Sequence, residues 1–446
     1  MSGPHAPDAA PSDGRLRRVL ANTGMLLGGR TVNAGLSLAY IALAARALGA
    51  SQLGILVLIN AFAQVVGEVA KFQSWQTVLQ YGTAPLADGQ RDQVQRVIRF
   101  SVILDLLSTA IGLVVGVAGA ILLGPHLGWP AALTPVAALY ALSIAFMVPA
   151  TPVGLLRLFD RFDLMASQAA ISSAVRLAGS AAGFLLGSPL DFFLAVWAAG
   201  TVAGFVYLAV VCGVELHKRD LTRGFSWRGP LTLNMPGAWR FAWATNFSSS
   251  LDVAFTHVAT LAVGGLLGPT EAALWRVARQ VADALAKPAK LLVPALYPEL
   301  AKLRTTEGEQ AMVKLAGQVG LVGGAVASVL LVVTIFAGGP LLSLVMGPAF
   351  ASGATIMTWQ VAAAVIGIWA LPLEPMLISL GHPGAAVRVR LVVCAVYLAT
   401  LVPVISEFGV IGAGAALVGA SAALALGLLW YLIRALPRRS ATAKPH

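Results

Sequence analysis

Seven basic residues occur inside stretches that are otherwise apolar, and their charges need partners or water. They are Arg30, Lys71, Arg176, Arg276, Arg279, Lys287 and Lys290. The last four recur with Asp283 at intervals of three or four residues, so they share one helix face over about four turns. An Arg or Lys facing lipid at mid-membrane costs about 2.5–3.5 kcal/mol, so four would cost roughly 10 kcal/mol. We therefore expect this face to meet protein or a water-filled cavity.

Acidic residues in the same stretches are fewer. They are Glu68, Asp105, Asp252, Asp283 and Glu374, which are candidates for balancing the basic charges or for carrying a coupling proton or sodium ion. With seven bases against five acids, a cavity built from these faces is net positive, which favours an anionic substrate. A diphosphate fits because Arg and Lys supply several charge-assisted hydrogen bonds to it.

Motifs for other chemistry are absent from the sequence. There is no Walker-type phosphate loop, no metal-ligand spacing and no nucleophile elbow. Cys212 and Cys394 stand alone in apolar runs, and His257 is expected to be a hydrogen-bonded packing residue. We therefore predict a protein without catalytic residues, cofactor or metal. The net charge of +11 does not indicate nucleic acid, because no soluble domain is available to carry a basic face.

The composition identifies the elements that must position these residues. Of 446 residues, 58% are apolar and only 11% are charged, and the mean hydropathy is +0.82. A soluble protein has roughly a quarter of its residues charged, so most of this surface must face lipid. Since a spanning helix needs about 20 apolar residues, we predict twelve spans: 22–46, 53–80, 97–123, 131–155, 164–187, 191–215, 240–267, 271–298, 312–337, 352–378, 386–405 and 410–433.

Lys and Arg are distributed unevenly over the predicted loops. Twenty-two lie at the termini and in every second loop, whereas Arg46 stands alone in the remaining loops. Because cytoplasmic loops carry the excess of basic residues, both termini are predicted to be cytoplasmic. Residues 1–14 and 437–446 are then cytoplasmic tails.

The two halves of the chain resemble each other. The densely charged segment 216–239 is predicted to be a cytoplasmic linker between six spans in 15–215 and six in 240–436. Leu48-Gly49 matches Leu267-Gly268, and in that register two polar helix faces coincide: Asn60, Gln64, Glu68 and Lys71 with Arg279, Asp283, Lys287 and Lys290. We expect two lobes related by an axis along the membrane normal, with the site between them.

Prolines within two of the spans are candidates for hinges between the lobes. They are Pro149 and Pro152 in span four, and Pro288 and Pro294 in span eight. Proline bends a helix and frees backbone carbonyls, so rocking of the lobes could occur at these positions.

Several short motifs resemble those of one transporter family. Residues 44–54 (Ala-Ala-Arg-Ala-Leu-Gly-Ala-Ser-Gln-Leu-Gly) resemble the opening motif of polysaccharide-export flippases, and residues 72–82 resemble the end of their second span. Residues 154–157 with 160–162 resemble the loop after span four, and residues 345–350 the loop before span ten. The chain thus resembles, over nearly its whole length, the Wzx-type lipid-linked oligosaccharide flippases of the multidrug/oligosaccharidyl-lipid/polysaccharide exporter superfamily.

The resemblance implies an all-α fold of two six-helix lobes around a central cationic cavity, in a bacterial inner membrane. It implies alternating access that moves undecaprenyl-diphosphate-linked oligosaccharides from the cytoplasmic to the periplasmic leaflet, for O-antigen, capsule or exopolysaccharide synthesis. The family's cavity corresponds by position to Arg30, Lys71, Arg276, Arg279, Lys287 and Lys290. Expected partners are this lipid-linked oligosaccharide, membrane lipids, a polysaccharide polymerase and a chain-length regulator. Twelve spans rather than fourteen argue against the peptidoglycan precursor as cargo.

Energy coupling and two rival functions stay open. The membrane potential could return the empty, positively charged carrier, or an acidic residue could carry a coupling proton or sodium ion. The first rival is a cation-coupled multidrug exporter of the same superfamily, which would need an acidic cavity. The second is a non-transporting receptor that binds a lipid-linked precursor.

Overall fold

The computed structural model describes residues 12–253, 257–290 and 309–435 of the chain. Within these ranges, the side chains of residues 12–32, 247–253, 285–290, 309 and 383 lie outside the description. No strand occurs among the described residues, which form helices joined by short turns.

The first half of the chain contains eight α-helices. They are α1 Ser12–Ala70, α2 Ser74–Ala87, α3 Arg91–Leu123, α4 Thr134–Ala141, α5 Ile144–Met147, α6 Thr151–Leu158, α7 Phe162–Leu186 and α8 Leu190–Lys218. The second half adds α9 Ala238–Val253, α10 Ala259–Leu267, α11 Pro269–Lys290, α12 Glu309–Met346, α13 Ala354–Trp369, α14 Leu373–Ser379 and α15 Pro383–Ala435.

Eight stretches of the described chain are long and apolar enough to cross a membrane. Two of them, Asn33–Ala87 and Gly384–Ala435, have 55 and 52 residues. A stretch of that length would measure about 80 Å if it were one straight helix, whereas the hydrocarbon core of a membrane is about 30 Å thick. Each contains one glycine that leaves helical geometry, Gly49 or Gly409, so each is long enough for two crossings. The all-α membrane architecture is confirmed. The count of twelve spans stays a prediction, because residues 254–256 and 291–308 fall within the predicted spans seven and eight or just after them.

The backbone supports the internal repeat at the place where the sequence register was set. Gly49 has φ 70° and ψ 177°, and its counterpart Gly268 has φ 97° and ψ 173°. Such positive φ values favour glycine, which has no Cβ to clash. The same turn therefore joins two helices at equivalent positions of both halves.

The two halves meet closely beside these turns. Helix α1 packs against α11, and a Cβ placed on Gly54 would lie 1.8 Å from the carbonyl oxygen of Pro269. Arg46 Nε donates a hydrogen bond to the carbonyl oxygen of Val345 at 3.2 Å, and its Nη2 donates to that of Leu344. By the predicted topology these contacts all lie at the periplasmic side, and they join the halves there.

The segment between the halves packs on the first half. Arg99 on α3 donates hydrogen bonds to the carbonyl oxygens of Ser226, Arg228 and Pro230. Gln95 on the same helix donates to the carbonyl oxygens of Leu221 and Arg223 at 2.9 and 3.0 Å. These bonds hold the basic segment against the predicted cytoplasmic end of α3.

A second ionic anchor lies next to this segment. Glu215, which is buried at the end of α8, forms ion pairs with Arg161 and Arg219 at 2.5 Å each and with Lys218 at 3.2 Å. Hydrogen bonding to Asp163 raises the pKa of the Arg161 guanidinium, so this side chain stays charged. Glu215 and Asp163 therefore balance part of the positive charge that Arg161, Lys218 and Arg219 bring here.

We predict that Gly54→Ala destabilises the protein by about 1–3 kcal/mol, the usual cost of overpacking. The new methyl group must displace backbone, since the nearest atom is a carbonyl oxygen of the other half. Thermal unfolding in detergent measures the effect. The matched control is Gly213→Ala in α8, where a Cβ would meet nothing within 4 Å and helix propensity favours alanine. Equal melting temperatures for the two variants would contradict the close packing of the halves.

Candidate functional site

Arg176 is a half-buried cation of the first half, and none of its hydrogen bonds among the described residues is to a carboxylate. In the described part of the chain, its Nη2 donates to Thr201 Oγ1 at 2.9 Å and to the carbonyl oxygen of Trp197 at 3.3 Å. The guanidinium carbon also lies 5.8 Å from the ring centroid of Tyr40 and 5.7 Å from that of Trp197. Gly200 makes room, since a Cβ there would lie 2.6 Å from Arg176 Cγ. Aromatic rings and dipoles hold this cation, and its positive charge is not cancelled.

Two further arginines approach from α11 of the second half. Arg279 Nε lies 3.3 Å from Asp283 Oδ2, one turn along the helix. Arg276 is within electrostatic range of Arg279, Asp283, Tyr40 and Arg176. Tyr40 and Arg176 belong to the first half, so these electrostatic interactions of Arg276 cross the boundary between the halves. The described cluster contains three guanidinium groups and one carboxylate.

Two residues that the sequence did not single out as ligands border this cluster. His257 lies within electrostatic range of Arg276 and Arg279. Tyr397 on α15 lies within electrostatic range of Arg279. An imidazole and a phenol can both donate to an anion, and no spacing in the sequence indicates that they converge on α11.

A direct hydrogen bond also joins the halves near the cluster. Gln280 Nε2 on α11 donates to Ser37 Oγ on α1 at 2.7 Å. Ser37 in turn donates to the carbonyl oxygen of Ala34 at 2.9 Å. No spacing in the sequence indicates that Gln280 and Ser37 meet. Their bond fixes α11 against α1 one residue after Arg279.

The polar face of the first half is largely satisfied within that half. Asn60 accepts a hydrogen bond from the hydroxyl of Tyr140 at 2.9 Å. Lys71 Nζ lies 3.4 Å from Glu68 Oε1, and the Lys71 side chain is 19% exposed. Lys71 does not lie in a helix, because residues 71–73 separate α1 from α2. The structure therefore pairs Lys71 locally.

The remaining predicted residues fall into three groups. Asp105 is buried on α3 and bonds to groups of the first half, while Glu374 is half-buried in the first turn of α14. Pro149 lies between α5 and α6, and Pro152 lies in the first turn of α6. The third group lies outside the described side chains: Arg30, Asp252, Lys287, Pro288, Lys290 and Pro294.

Within residues 12–253, 257–290 and 309–435, no three His, Cys, Asp or Glu side chains come together as metal ligands would. What the described cluster offers chemically is hydrogen-bond donors and positive charge.

Comparison with known proteins identifies relatives over most of the chain. The family described as "Polysaccharide biosynthesis protein" matches residues 19–304. A curated relative, the "Inner membrane protein YghQ" of Escherichia coli (strain K12), is 33% identical over 345 residues, which is 75% of this chain and 94% of that protein.

Solved structures share the fold at low sequence identity. An inward-facing multidrug resistance MATE family transporter of the MOP superfamily superposes with a TM-score of 0.70 at 12% identity, covering 91% of this chain and 94% of that one. The lipid II flippase MurJ in an inward closed conformation gives a TM-score of 0.67 at 12% identity, covering 90% and 86%. The expected superfamily fold is confirmed. Because the family match spans more than half of the sequence and the curated relative covers three quarters of it, this chain belongs to the polysaccharide biosynthesis protein family.

Proposed function

We propose that this protein moves undecaprenyl-diphosphate-linked oligosaccharides from the cytoplasmic to the periplasmic leaflet by alternating access. One observation carries the proposal: Arg176, Arg276 and Arg279 converge from both halves of the chain with Asp283 as their one described carboxylate. Such a cluster binds an anion in preference to a cation.

The chemistry of a diphosphate matches this cluster. Its oxygens accept charge-assisted hydrogen bonds from guanidinium groups, which bind phosphate in a bidentate manner. Arg276 and Arg279 reach the ligand from α11, and Arg176 reaches it from α7. His257 and Tyr397 add neutral donors at the edge of the cluster. A ligand bound here contacts both halves, so binding depends on how the halves are arranged.

The polyprenyl tail of the substrate needs no polar site. In this mechanism it stays in the bilayer and leaves the cavity through a lateral opening between helices, while the headgroup crosses inside. Rocking of the halves then changes which leaflet the headgroup can reach. The helix breaks at residues 71–73 and 148–150 are the places where spans two and four can bend, and Pro149 lies within the second break.

The relatives support this assignment at the level of class. The description of the matched family names polysaccharide biosynthesis, and one structural neighbour is a lipid II flippase. Export and biosynthesis of polysaccharides across an inner membrane require a carrier for an anionic lipid-linked headgroup, which is the ligand class that the arginine cluster favours.

A cation-coupled multidrug exporter is the second candidate, because a multidrug transporter shares the fold with a TM-score of 0.70. Its substrates would be cationic drugs, which three guanidinium groups repel. The charge of the described cluster therefore favours the lipid-linked oligosaccharide over a cationic drug.

We predict opposite effects from two kinds of substitution in the cluster. Arg276→Gln and Arg279→Gln each remove a charge-assisted hydrogen bond and should weaken binding of an undecaprenyl-diphosphate sugar about 10- to 100-fold. Asp283→Asn removes the one described negative charge and should tighten that binding. Titration of purified protein in detergent, read out by ligand-induced thermal stabilisation, measures both effects.

The matched control for charge is Arg240→Gln, since Arg240 is an exposed cation outside the cluster. A panel of cationic drugs forms the second arm of the titration. The flippase assignment would be wrong if cationic drugs stabilised the protein, Asp283→Asn abolished that stabilisation and the diphosphate lipid had no effect. The multidrug exporter would then be the better assignment.

Transport should also respond to the membrane potential. A cavity with excess positive charge is drawn toward a negative interior, and each charge crossing 100 mV contributes about 2.3 kcal/mol. In proteoliposomes, an imposed potential should therefore accelerate multiple turnovers, and its collapse should slow them. Proton and sodium gradients imposed separately identify any coupling ion. Turnover that is unchanged by the potential and by both gradients would contradict every form of this coupling.

A further inference from the structure

Spans two and four are both interrupted within the membrane. Residues 71–73 separate α1 from α2, and residues 148–150 separate α5 from α6. An interrupted helix leaves backbone N–H and C=O groups without their usual partners, which is costly in hydrocarbon. Each break therefore needs partners from elsewhere in the fold.

Asp105 on α3 supplies partners to both breaks. Its Oδ1 accepts a hydrogen bond from Ser74 Oγ at 2.5 Å, in the first turn of α2. Its Oδ2 accepts from the backbone N–H groups of Ala150 and Thr151 at 3.1 and 2.9 Å, where α6 begins. The carboxylate is buried, with 5% of the residue exposed. The start of α6 thus directs two backbone N–H groups at this buried side chain, and the start of α2 adds the hydroxyl of Ser74.

Ser108 extends the same arrangement by one turn of α3. Its Oγ accepts a hydrogen bond from the backbone N–H of Phe72 at 3.0 Å, inside the first break. Asp105 and Ser108 thus bind the break in span two at Phe72 and at Ser74, the first residue of α2. One face of α3 therefore holds this break and the starts of α2 and α6 in a fixed relation.

The break in span two also makes a contact with the other half of the protein. Asn246 Nδ2 on α9 donates to the carbonyl oxygens of Lys71 and Val69 at 2.7 and 3.2 Å. In an unbroken helix, these carbonyls would accept from residues four positions later. The ring of Trp243, also on α9, packs edge-on against Phe72 with centroids 4.8 Å apart. The bonds to Asn246 therefore exist because the helix is broken there.

We propose that Asp105 is the positioning residue for this contact between the halves. It holds the break in span two open, and the open break presents two carbonyl oxygens to Asn246. We name the contact of Asn246 with Val69 and Lys71 the span 2–span 7 latch, after its place between the predicted spans two and seven at the predicted cytoplasmic side. Asp105 acts by accepting hydrogen bonds, and it touches no substrate.

The same arrangement governs the position of Lys71. Its ammonium group projects from the non-helical segment that Asp105 and Ser108 hold, and it contacts Glu68. This consequence for the headgroup site rests on the proposed function, whereas the latch itself does not. An experiment on the protein without substrate therefore separates the two ideas.

The test measures the distance between the halves in a cysteine-free background, with Cys212 and Cys394 replaced by Ala. Spin labels at Asp88→Cys and His382→Cys report on exposed positions, one in each half. Asp105→Leu and Asn246→Ala should each raise the population with separated halves about tenfold, the effect of losing one or two hydrogen bonds. The double variant should do no more than either single variant, because both act on the same latch.

Two conservative variants separate hydrogen bonding from other effects. Asp105→Asn keeps one oxygen that can accept from Ala150 and Thr151, and its NH2 group can donate to the Ser74 hydroxyl, so it should retain most of the wild-type distance distribution. Tyr140→Phe removes a buried hydrogen bond of the same half, to Asn60, and should leave the distribution unchanged. If Asp105→Leu does not fold, Ser74→Ala removes one bond of the arrangement and should give a smaller shift in the same direction.

Three results would overturn the proposal. Asp105→Leu or Ser74→Ala could leave the distance distribution as in the wild type. The shifts of Asp105→Leu and Asn246→Ala could add, which would mean that Asp105 does not act through the latch. Asp105→Asn could behave like Asp105→Leu, which would assign the effect to the charge of Asp105 instead of its acceptors.

Discussion

The cost of placing a positive charge against lipid is the constraint on which the rest of this structure depends. Arg176, Arg276 and Arg279 lie in stretches that are otherwise apolar, so the fold must turn them toward protein. It does so by bringing α7 and α11 from different halves to the same region, with Tyr40 of α1 between them. Among the described residues of this cluster, one carboxylate, that of Asp283, balances part of the charge of three guanidinium groups. The arrangement that shields the cations from lipid also leaves excess positive charge that an anionic headgroup can use.

A second constraint follows from the same solvent, because backbone polar groups in hydrocarbon must also find partners. Spans two and four are broken, and Asp105 binds both breaks from α3. In the proposed mechanism the first half bends at these breaks, and one of them supplies the acceptors for Asn246 of the second half. The charged cluster and the helix breaks thus share one cause, which is that the membrane does not solvate polar groups.

Much of the architecture could be predicted from the sequence. Hydropathy gave the spanning stretches, and matching Leu48-Gly49 with Leu267-Gly268 identified two glycines that the fold places in the same extended, positive-φ turn. The basic face of α11 was also evident, since helical periodicity is a local property. The short motif around Arg46 and the one at residues 345–350 were recognised separately, and the structure shows that they contact each other.

The break in span two and the outer members of the cluster could not be predicted, whereas Pro149 marked the break in span four. Residues 71–73 contain neither glycine nor proline, so the interruption there depends on acceptors that α3 supplies in three dimensions. From the sequence, Asp105 could not be distinguished from the other four acidic residues of the spans, because a sequence does not reveal which backbone groups a carboxylate will bond. His257 and Tyr397 join the cluster through packing between distant helices. Local patterns carry no information about such packing.

Headgroup translocation in proteoliposomes tests the central claim most directly. An undecaprenyl-diphosphate sugar with a fluorophore on the sugar is incorporated into both leaflets, and a membrane-impermeant reductant then quenches the outer label. With the wild-type protein, the protected inner fraction should fall as headgroups cross, whereas a folded Arg276→Gln, Arg279→Gln double variant should leave it protected. Protection that persists with the wild-type protein, or an equal loss with the double variant, would contradict a cationic headgroup site as the basis of transport.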